Sequence, residues 1–344
     1  MSQKLISICI PTYSRPQELK RTLESIDSQK YNDVNIVISE NCSPKQVETR
    51  AVVEEFKKNS KYDVYYYENE QNLGYDKNIR ALVKRSEGIY SMFFSDDDMF
   101  MPGALDKFIE FVRQHQDCGY FLRSYRNYSD VAETKFQDFR YYASDCTFPA
   151  GNDTAIELFD KSVFLSGFTI KTEPAREYVT DELDGSLLYQ LYLLLEVCRR
   201  YPSAYSRILI SKAVPYEGAV HYFGNCKEEK DSYDTGAMVG KNQLNFLRWY
   251  TKVMDFVGNK YSDDTGKRIR YNMSKYSYIN LVQELKANPT KQEFKDYCRQ
   301  LEEMGFNSSR YYYFYKFVLG LFGYRLCNKC VAFIKKNLGY RPKL

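Results

Sequence analysis

The sequence predicts an α/β fold, with a mainly parallel sheet between helices and a helical extension at its C-terminal end. Two observations carry this prediction. Short β-type apolar runs alternate with helical patterns up to about residue 115, which favours parallel strands joined by helices. Beyond about residue 225 the pattern changes to long helical segments with turn signals near Gly258, Pro289 and Gly305. We therefore divide the chain into residues 1–228 and 229–344.

Periodicity and turn residues predict the elements of the first domain in order. Residues 5–10 form an apolar strand closed by Pro11 and Thr12, and a helix then opens at Pro16 behind the N-cap residue Ser14. Further strands are predicted at residues 35–39, 64–67, 90–95 and 208–210, and further helices at residues 47–56, 78–85, 102–115 and 187–201.

The composition is ordinary for a soluble globular protein, with 44% apolar and 27% charged residues among 344. The net charge is +4, but residues 310–344 hold eight Lys and Arg and no Asp or Glu, so the remainder carries about −4. Nine cysteines, an odd number, and an N-terminus without a signal-peptide layout predict reduced thiols and a cytoplasmic protein. No uninterrupted apolar run approaches the roughly 20 residues that a membrane span needs.

The strand at residues 90–95 runs directly into three consecutive carboxylates, Asp96, Asp97 and Asp98. Adjacent carboxylates repel one another, so a buried cluster of them needs a counter-cation. In α/β folds the carboxyl ends of strands are where ligands bind, and hard oxygen ligands suit Mg²⁺ or Mn²⁺. The triplet therefore predicts a divalent metal beside a diphosphate. The alternative is an acidic turn exposed to solvent.

Two common nucleotide-binding motifs are missing after the first strand, the Gly-x-Gly-x-x-Gly loop and the Gly-Lys-Ser/Thr loop. Dinucleotide dehydrogenases and P-loop ATPases are therefore disfavoured. Four other segments, in family order and at family-like spacing, resemble family 2 glycosyltransferases of the GT-A fold. They are residues 8–16 (ICIPTYSRP, like "PTYNRP"), 38–43 (ISENCS, like "VDDGS"), 72–78 (NLGYDKN, like "NxG") and 88–102 (like the Asp-x-Asp region). Within that family the chain is most similar to bacterial O-antigen and capsule enzymes, abequosyltransferase-like members among them.

The resemblance implies a GT-A catalytic domain over residues 1–228 and a nucleotide-binding set within it. That set is Pro11, Thr12, Tyr13, Arg15, Glu40, Asn72, Asp76, Asn78 and Asp96. Glu40 stands where the family usually has Asp and would accept a hydrogen bond from the base. Its alternative role is a charge at a helix N-terminus, and the alternative for Asp76 and Asn78 is a turn.

The resemblance also implies a metal site, for which the candidates are Asp97, Asp98 and His221. A divalent cation, Mn²⁺ or Mg²⁺, would neutralise charge on the leaving diphosphate without a proton transfer. Ser95 stands where the family pattern begins with Asp, which leaves the metal ligand ambiguous by one position. His221 lies in a segment that resembles the family's "YRxH" stretch, and the alternative for it is a surface loop.

An inverting transferase also needs a general base for the acceptor hydroxyl. The family places an acidic pair before a helix in the second half, and here Ser186 and Leu187 align with that pair. Asp184 is our first candidate for the base, with Asp181 or Glu182 behind it. The alternative is a charge that stabilises the helix N-terminus.

Aromatic and basic residues are mixed in residues 310–336. This composition predicts an interfacial helix on the anionic inner face of a membrane. The alternative is a core helix packed on the catalytic domain. No nucleic-acid recognition motif accompanies it.

Together these expectations predict a metal-dependent, inverting glycosyltransferase in bacterial surface-polysaccharide synthesis. Its donor would be a sugar on UDP, dTDP, CDP or GDP, and its acceptor a lipid-linked saccharide. It would act in the cytoplasm or on the inner face of the plasma membrane. The alternatives are a degenerate nucleotide- or glycan-binding scaffold and a sugar-nucleotide nucleotidyltransferase. The latter would need a Gly-rich, basic loop after the first strand, which residues 11–16 do not form.

Overall fold

The structure is a computed structural model that describes residues 3–27, 30–31, 33–215, 224, 226–230, 233–234, 241–287 and 290–337. The chain divides into two compact units, residues 1–231 and 232–344. The boundary predicted between residues 228 and 229 lies close to this division.

The strands among the described residues are β1 (Ile6–Thr12), β2 (Val34–Glu40), β3 (Asp63–Glu68), β4 (Tyr90–Phe93), β5 (Asp98–Phe100), β6 (Tyr120–Tyr128), β7 (Phe136–Phe139), β8 (Cys146–Phe148), β9 (Phe168–Lys171) and β10 (Ser203–Ala213). The helices of the first unit are α1 (Pro16–Asp27), α2 (Gln46–Asn59), α3 (Gly74–Arg85), α4 (Ala104–Gln114), α5 (Asn152–Phe159), α6 (Thr172–Glu177), α7 (Tyr189–Arg200) and α8 (Lys227–Lys230), with a 3₁₀ turn at Leu165–Gly167. The second unit contains α9 (Lys241–Tyr261), α10 (Thr265–Lys275), α11 (Tyr278–Ala287), α12 (Lys291–Glu303) and α13 (Arg310–Asn337).

The first unit is built on one mixed sheet with the strand order β3-β2-β1-β4-β9-β6-β10-β5, in which β7 also pairs with β6 and β8 with β10. The first four strands are parallel, as the alternation of strands and helices predicts. Antiparallel pairs begin beyond β4, where β9 pairs with β4 and with β6. The predicted α/β class and mixed sheet are therefore confirmed.

The parallel strands lie in the core. β2 is buried along its whole length and β1 along nearly all of it, which is typical of strands covered on both faces. Ile8 and Ile10 of β1 share one apolar cluster with Leu19 and Leu23 of α1, while α3 packs against β1 and β2. Burial of this kind stabilises by roughly 25 cal/mol per Å² of apolar surface and fixes where the strand ends lie.

Two boundaries differ from the sequence prediction for local reasons. α3 begins at Gly74, four residues before its predicted start, because Asn72 Oδ1 accepts a hydrogen bond from the Gly74 N–H at 2.9 Å. The strand predicted at residues 208–210 is the later part of the longer β10, which pairs in parallel with β6.

The helical character of the second unit is confirmed. α12 begins with a capping box, in which Thr290 and Glu293 satisfy each other's backbone N–H groups. The expectation that nothing is apolar enough to span a membrane is wrong: residues Arg310–Ile334 pass by length and composition. The basic residues of this helix interrupt every apolar run but leave its mean hydropathy high. One such helix is weak evidence for a membrane span.

We expect Gly88→Ala to destabilise the first unit, because an alanine Cβ would lie 2.4 Å from Ser7 N and 2.8 Å from the carbonyl carbon of Ile6 in β1. The expected loss is about 1–3 kcal/mol of unfolding free energy, measured by urea titration. Gly320→Ala is the matched control, since its Cβ would lie 3.7 Å from the nearest atom, Phe294 Cε1. In a helix interior that change should stabilise by about 0.5–1 kcal/mol. Equal effects of the two changes would contradict the packing argument.

Candidate functional site

The carboxyl ends of the parallel strands bring the predicted motifs to one edge of the sheet. Thr12 at the end of β1 is in register with Glu40 at the end of β2. Asp96 and Asp97 follow β4, which pairs with β1 on its other side. Parallel open sheets bind ligands at this edge.

Arg15 is the cation that meets the acidic triplet. Its Nη1 atom lies 3.0 Å from Asp96 Oδ1 and 2.8 Å from Asp97 Oδ2. Thr12 Oγ1 donates to the second oxygen of Asp96 at 2.8 Å. The loop after β1 is thereby tied to the loop after β4 by an ion pair and a hydrogen bond.

Two of the three carboxylates are buried. Burial raises the pKa of Asp96 to about 6, and the positive charge of Arg15 opposes this rise. Burial also raises the pKa of Asp98 well above its usual range, and repulsion from Asp97 adds to the effect. The Ser166 hydroxyl donates to Asp98. Buried carboxylates of this kind bind protons more readily than exposed ones.

Asp97 is the partly exposed member of the triplet, with 28% of its side chain exposed. It accepts from Ser95 Oγ at 2.5 Å and from Arg15, and each carboxylate oxygen has a second lone pair for another partner. Mg²⁺ typically binds proteins through one or two carboxylates and takes its other ligands from phosphates and water. The Asp97 carboxylate fits this role.

Asp98, the second predicted metal ligand, is held inside the protein. Asp98 is 3% exposed and hydrogen bonded to Ser166, so its carboxylate is turned into the protein rather than toward a ligand. His221 lies outside the described residues. Among the residues that the structure describes, no group of three or more His, Cys, Asp and Glu is arranged to hold a metal.

The loop between β1 and α1 carries the rest of the first motif. Pro11 near the end of β1 and Tyr13 in the loop are half-buried, and Ser14 adopts a positive φ of 61°. This backbone turn lets Arg15 reach back to the triplet, while α1 begins at Pro16 as predicted.

Glu40 has a partner inside the protein. Its carboxylate accepts from the Ser43 N–H at 3.0 Å and from Gln46 Nε2 at 3.0 Å, just before and at the start of α2, and the residue is fully buried. The role of Glu40 as a reader of the base stays a prediction. The alternative role, a negative charge at a helix N-terminus, matches the geometry.

Asn72 and Asn78, which are predicted to contact the nucleotide, have partners within the protein. Asn72 Oδ1 accepts from Asn41 Nδ2 at 2.9 Å and holds the turn into α3. Asn78 Oδ1 accepts from Ser39 Oγ at 2.5 Å and from Asn69 Nδ2 at 3.1 Å. Both amides are used in a polar network that fixes the ends of β2 and β3, since buried polar groups need partners.

Asp76 caps α7. Its carboxylate accepts from the backbone N–H groups of Leu187, Leu188 and Tyr189 and from Ser186 Oγ, all at 3.0–3.2 Å. Burial raises its pKa to about 7, although these hydrogen bonds oppose the rise. Asp76 therefore links two helices, and its predicted contact with the nucleotide stays a prediction.

Asp184 does not fit the role of a general base. Its carboxylate pairs with both Nη atoms of Arg80, and Lys77 Nζ lies 3.8 Å away. Only 10% of the Asp184 side chain is exposed, so its oxygens are committed to a cationic partner. Asp181, the second candidate, is exposed in the same loop.

Sequence reasoning missed the residues that hold the triplet in place. Thr22 Oγ1 of α1 donates to the backbone carbonyls of Asp96 and Asp98, at 2.9 and 2.7 Å. Ser166 Oγ accepts from the Ser95 N–H as well as donating to Asp98. A signal existed for Thr22, because it is a polar residue on the apolar face that Leu19 defines. No local signal identifies Ser166, which is distant in sequence.

The protein family model described as Glycosyl transferase family 2 matches residues 7–169, from β1 into β9. The abequosyltransferase RfbV of Salmonella typhimurium is 38% identical over 103 residues, 29% of this chain and 30% of the relative. The GalNAc(5)-diNAcBac-PP-undecaprenol β-1,3-glucosyltransferase of Campylobacter jejuni is 26% identical over 105 residues, 30% of this chain and 33% of the relative. The chain thus spans about a third of the length of these curated relatives.

Solved structures of S. aureus TarS share the fold. The structure in complex with UDP-GlcNAc has a TM-score of 0.62 at 15% identity and covers 87% of this chain and 80% of that chain. The complex with UDP has a TM-score of 0.59 at 14% identity over the same shares. At this identity the likeness shows the fold alone, and it confirms the predicted GT-A architecture.

We expect the stability of the protein to fall as pH rises through about 7, in part because of Asp76. Its folded pKa of about 7 lies above the ordinary value, so its contribution is full below about pH 4 and is lost as the buried carboxyl ionises. Asp76→Asn should flatten this decline by of the order of 1 kcal/mol per pH unit between about pH 4 and pH 7. Urea unfolding across that range measures the slope.

The matched control is Asp117→Asn, which removes an exposed carboxylate. It should leave the slope unchanged. A slope for Asp76→Asn equal to that of the wild type would contradict the burial argument.

Proposed function

We propose that the protein transfers a sugar from a nucleoside-diphosphate donor to a saccharide acceptor, because the family 2 glycosyltransferase model matches residues 7–169. The observation that carries this proposal is the meeting of Arg15, Asp96 and Asp97 at the carboxyl ends of β1 and β4. At this edge a guanidinium and a carboxylate lie within hydrogen-bond distance of each other. The guanidinium suits the phosphate oxygens of a diphosphate, and the carboxylate suits the counter-ion of that diphosphate.

In this proposal the donor lies along the β1 loop. Thr12, Tyr13 and Arg15 follow the end of β1, and a guanidinium is well suited to phosphate oxygens because it presents several donors in a plane. UDP, dTDP, CDP and GDP donors all remain open, because Glu40 is engaged with α2 rather than displayed to a base.

We assign the metal to Asp97. When bound, Mg²⁺ or Mn²⁺ would supply charge neutralisation at the leaving diphosphate. Asp97 would hold it with one carboxylate, and Asp96 would keep Arg15 and the β1 loop in position. Arg15 lies 2.8 Å from Asp97, and its positive charge weakens binding of a free metal ion, so we expect metal and donor to bind together.

For an inverting reaction we transfer the role of general base to Asp181, since its side chain is exposed and that of Asp184 pairs with Arg80. Asp184 then acts as a positioning residue that holds the loop before α7 against α3. Asp76 stabilises the same loop, because its carboxylate accepts hydrogen bonds from backbone N–H groups at the start of α7.

The acceptor we propose is a lipid-linked intermediate of a bacterial surface polysaccharide, such as O-antigen or capsule. Support comes from the relatives: one is named as an abequosyltransferase, and another carries a PP-undecaprenol acceptor in its name.

One observation favours a second candidate, a degenerate nucleotide-binding scaffold. Glu40, Asn72, Asp76 and Asn78 are all occupied by partners within the protein. A scaffold would bind a nucleotide without turnover. The nucleotidyltransferase alternative has no comparable support.

We expect one of UDP, dTDP, CDP and GDP to raise the melting temperature only when Mn²⁺ is present. At about 100 times its dissociation constant the ligand should add roughly 2.7 kcal/mol of stability. Asp97→Asn should lose the Mn²⁺-dependent part, whereas Asp117→Asn keeps it. If none of the four nucleotides raised the melting temperature of folded protein, the donor assignment would be wrong.

We expect Asp181→Asn to lower kcat by about 100-fold or more with little change in donor affinity, as removal of a general base does. Asp184→Asn should instead lower thermal stability, because it leaves Arg80 without its carboxylate. Donor-sugar hydrolysis or transfer, measured across pH, distinguishes the two. A loss of the acidic limb of the pH profile in Asp184→Asn alone would restore Asp184 as the base, because activity rises with pH as a general base loses its proton.

A further inference from the structure

α13 has two apolar faces, and only one of them is covered. Tyr312, Tyr315 and Leu319 are at most 8% exposed and pack on the other helices of the second unit. The opposite face presents a set of large apolar side chains that are 53–65% exposed: Tyr313, Phe314, Phe317, Leu321 and Phe322.

The exposed side chains form a continuous stripe rather than scattered single residues. Phe314, Phe317 and Leu321 follow the three-and-four spacing that places side chains on one side of a helix. Contiguous apolar patches on a protein surface mark sites of interaction with proteins or membranes.

Charge identifies the partner. Residues 310–344 contain eight Lys and Arg and no Asp or Glu, so this part of the chain repels cationic surfaces and attracts anionic ones. Arg325 and Lys329 are exposed, as are Leu326 and Phe333 between and beyond them. Long basic side chains beside apolar ones can keep their charges at lipid headgroups while the apolar groups enter the acyl region.

The backbone argues against a membrane span. Gly323 has φ 71° and ψ 161°, which are not helical, so α13 is two helices joined at a break. The segments at residues 310–322 and 324–337 are each about 20 Å long, whereas the hydrocarbon core of a bilayer is about 30 Å thick. The first segment is also held along one face by Tyr312 and Tyr315, which are packed against protein.

We propose that α13 lies in the plane of an anionic phospholipid membrane and inserts its Phe314–Phe317–Leu321 face into the lipid interface. The docking surface is the exposed face of both α13 segments, and the partner is a bilayer rich in anionic headgroups. This inference concerns a different surface from the transferase site and holds whether or not the proposed reaction is correct.

The test is flotation of the full-length protein with vesicles of phosphatidylcholine, with and without phosphatidylglycerol. We expect binding to the anionic vesicles only, with a decline as salt is raised. Phe317→Glu with Leu321→Glu should abolish it. Arg325→Gln with Lys329→Gln should weaken it roughly fivefold for each charge removed.

The matched control is Val131→Glu, which places the same charge at an apolar side chain of the first unit that is 64% exposed. It should float like the wild type. All the substituted residues are exposed, and circular dichroism verifies that each variant is folded. If the double Glu variant were misfolded, the dependence of wild-type binding on lipid charge and salt would still show whether the protein binds an anionic membrane.

The depth to which α13 enters the bilayer distinguishes a helix that lies on the membrane from one that spans it. A Phe317→Trp variant, read against the signal of Trp249 in the wild type, should be quenched by bromines near the lipid headgroups and not by bromines at the acyl ends. Quenching at the acyl ends, or retention after carbonate extraction, would overturn the proposal in favour of a span. Absence of vesicle binding together with dimers that the Glu substitutions disrupt would assign the stripe to a second copy of the chain instead.

Discussion

The ion pair between Arg15 and the carboxylates of Asp96 and Asp97 is the constraint on which the candidate site depends. Parallel strands bring their carboxyl ends together, and in this protein that brings three acidic residues to the end of β4. Left alone, those charges would repel and resist burial. Arg15 and Thr12 offset this cost at Asp96, and Ser166 does so at Asp98. Thr22 holds the backbone of the triplet through the carbonyls of Asp96 and Asp98. The loop that a donor would contact is therefore fixed by the same bonds that stabilise the triplet.

A second theme is the use of acidic residues as helix anchors. Glu40 meets the start of α2 and Asp76 meets the start of α7, where unpaired N–H groups and the helix dipole favour negative charge. Motif positions that look like ligand contacts thus connect the strand ends to surrounding helices. Hydrogen bonds of this kind order the edge, and an ordered edge would lower the entropic cost of binding a ligand there.

The second unit depends on a different balance. α13 buries one aromatic face against its own bundle and leaves the other exposed beside basic residues. An apolar stripe of that size is costly in water, and an acid-free basic segment favours one class of surface. The break at Gly323 shortens both segments, so that a surface position suits them better than a crossing.

The sequence alone determined the α/β class, the four parallel strands, the helical C-terminal region and the edge at which the motifs meet. It could do so because these follow from local periodicity and from the fixed geometry of parallel sheets. It predicted a divalent metal beside the Asp triplet, whereas the structure shows Arg15 as a cation that pairs with Asp96 and Asp97. The sequence could not determine which hydrogen-bond partners each polar side chain has. Glu40 and Asp76 lie within motif segments, yet their carboxylates bond to the start of α2 and the start of α7. The carboxylate of Asp184, a candidate base, bonds to Arg80, which is distant in sequence. Only the tertiary structure decided whether each carboxylate is exposed to a ligand or buried in the protein, because a buried carboxylate must find its hydrogen-bond partners among the groups packed around it.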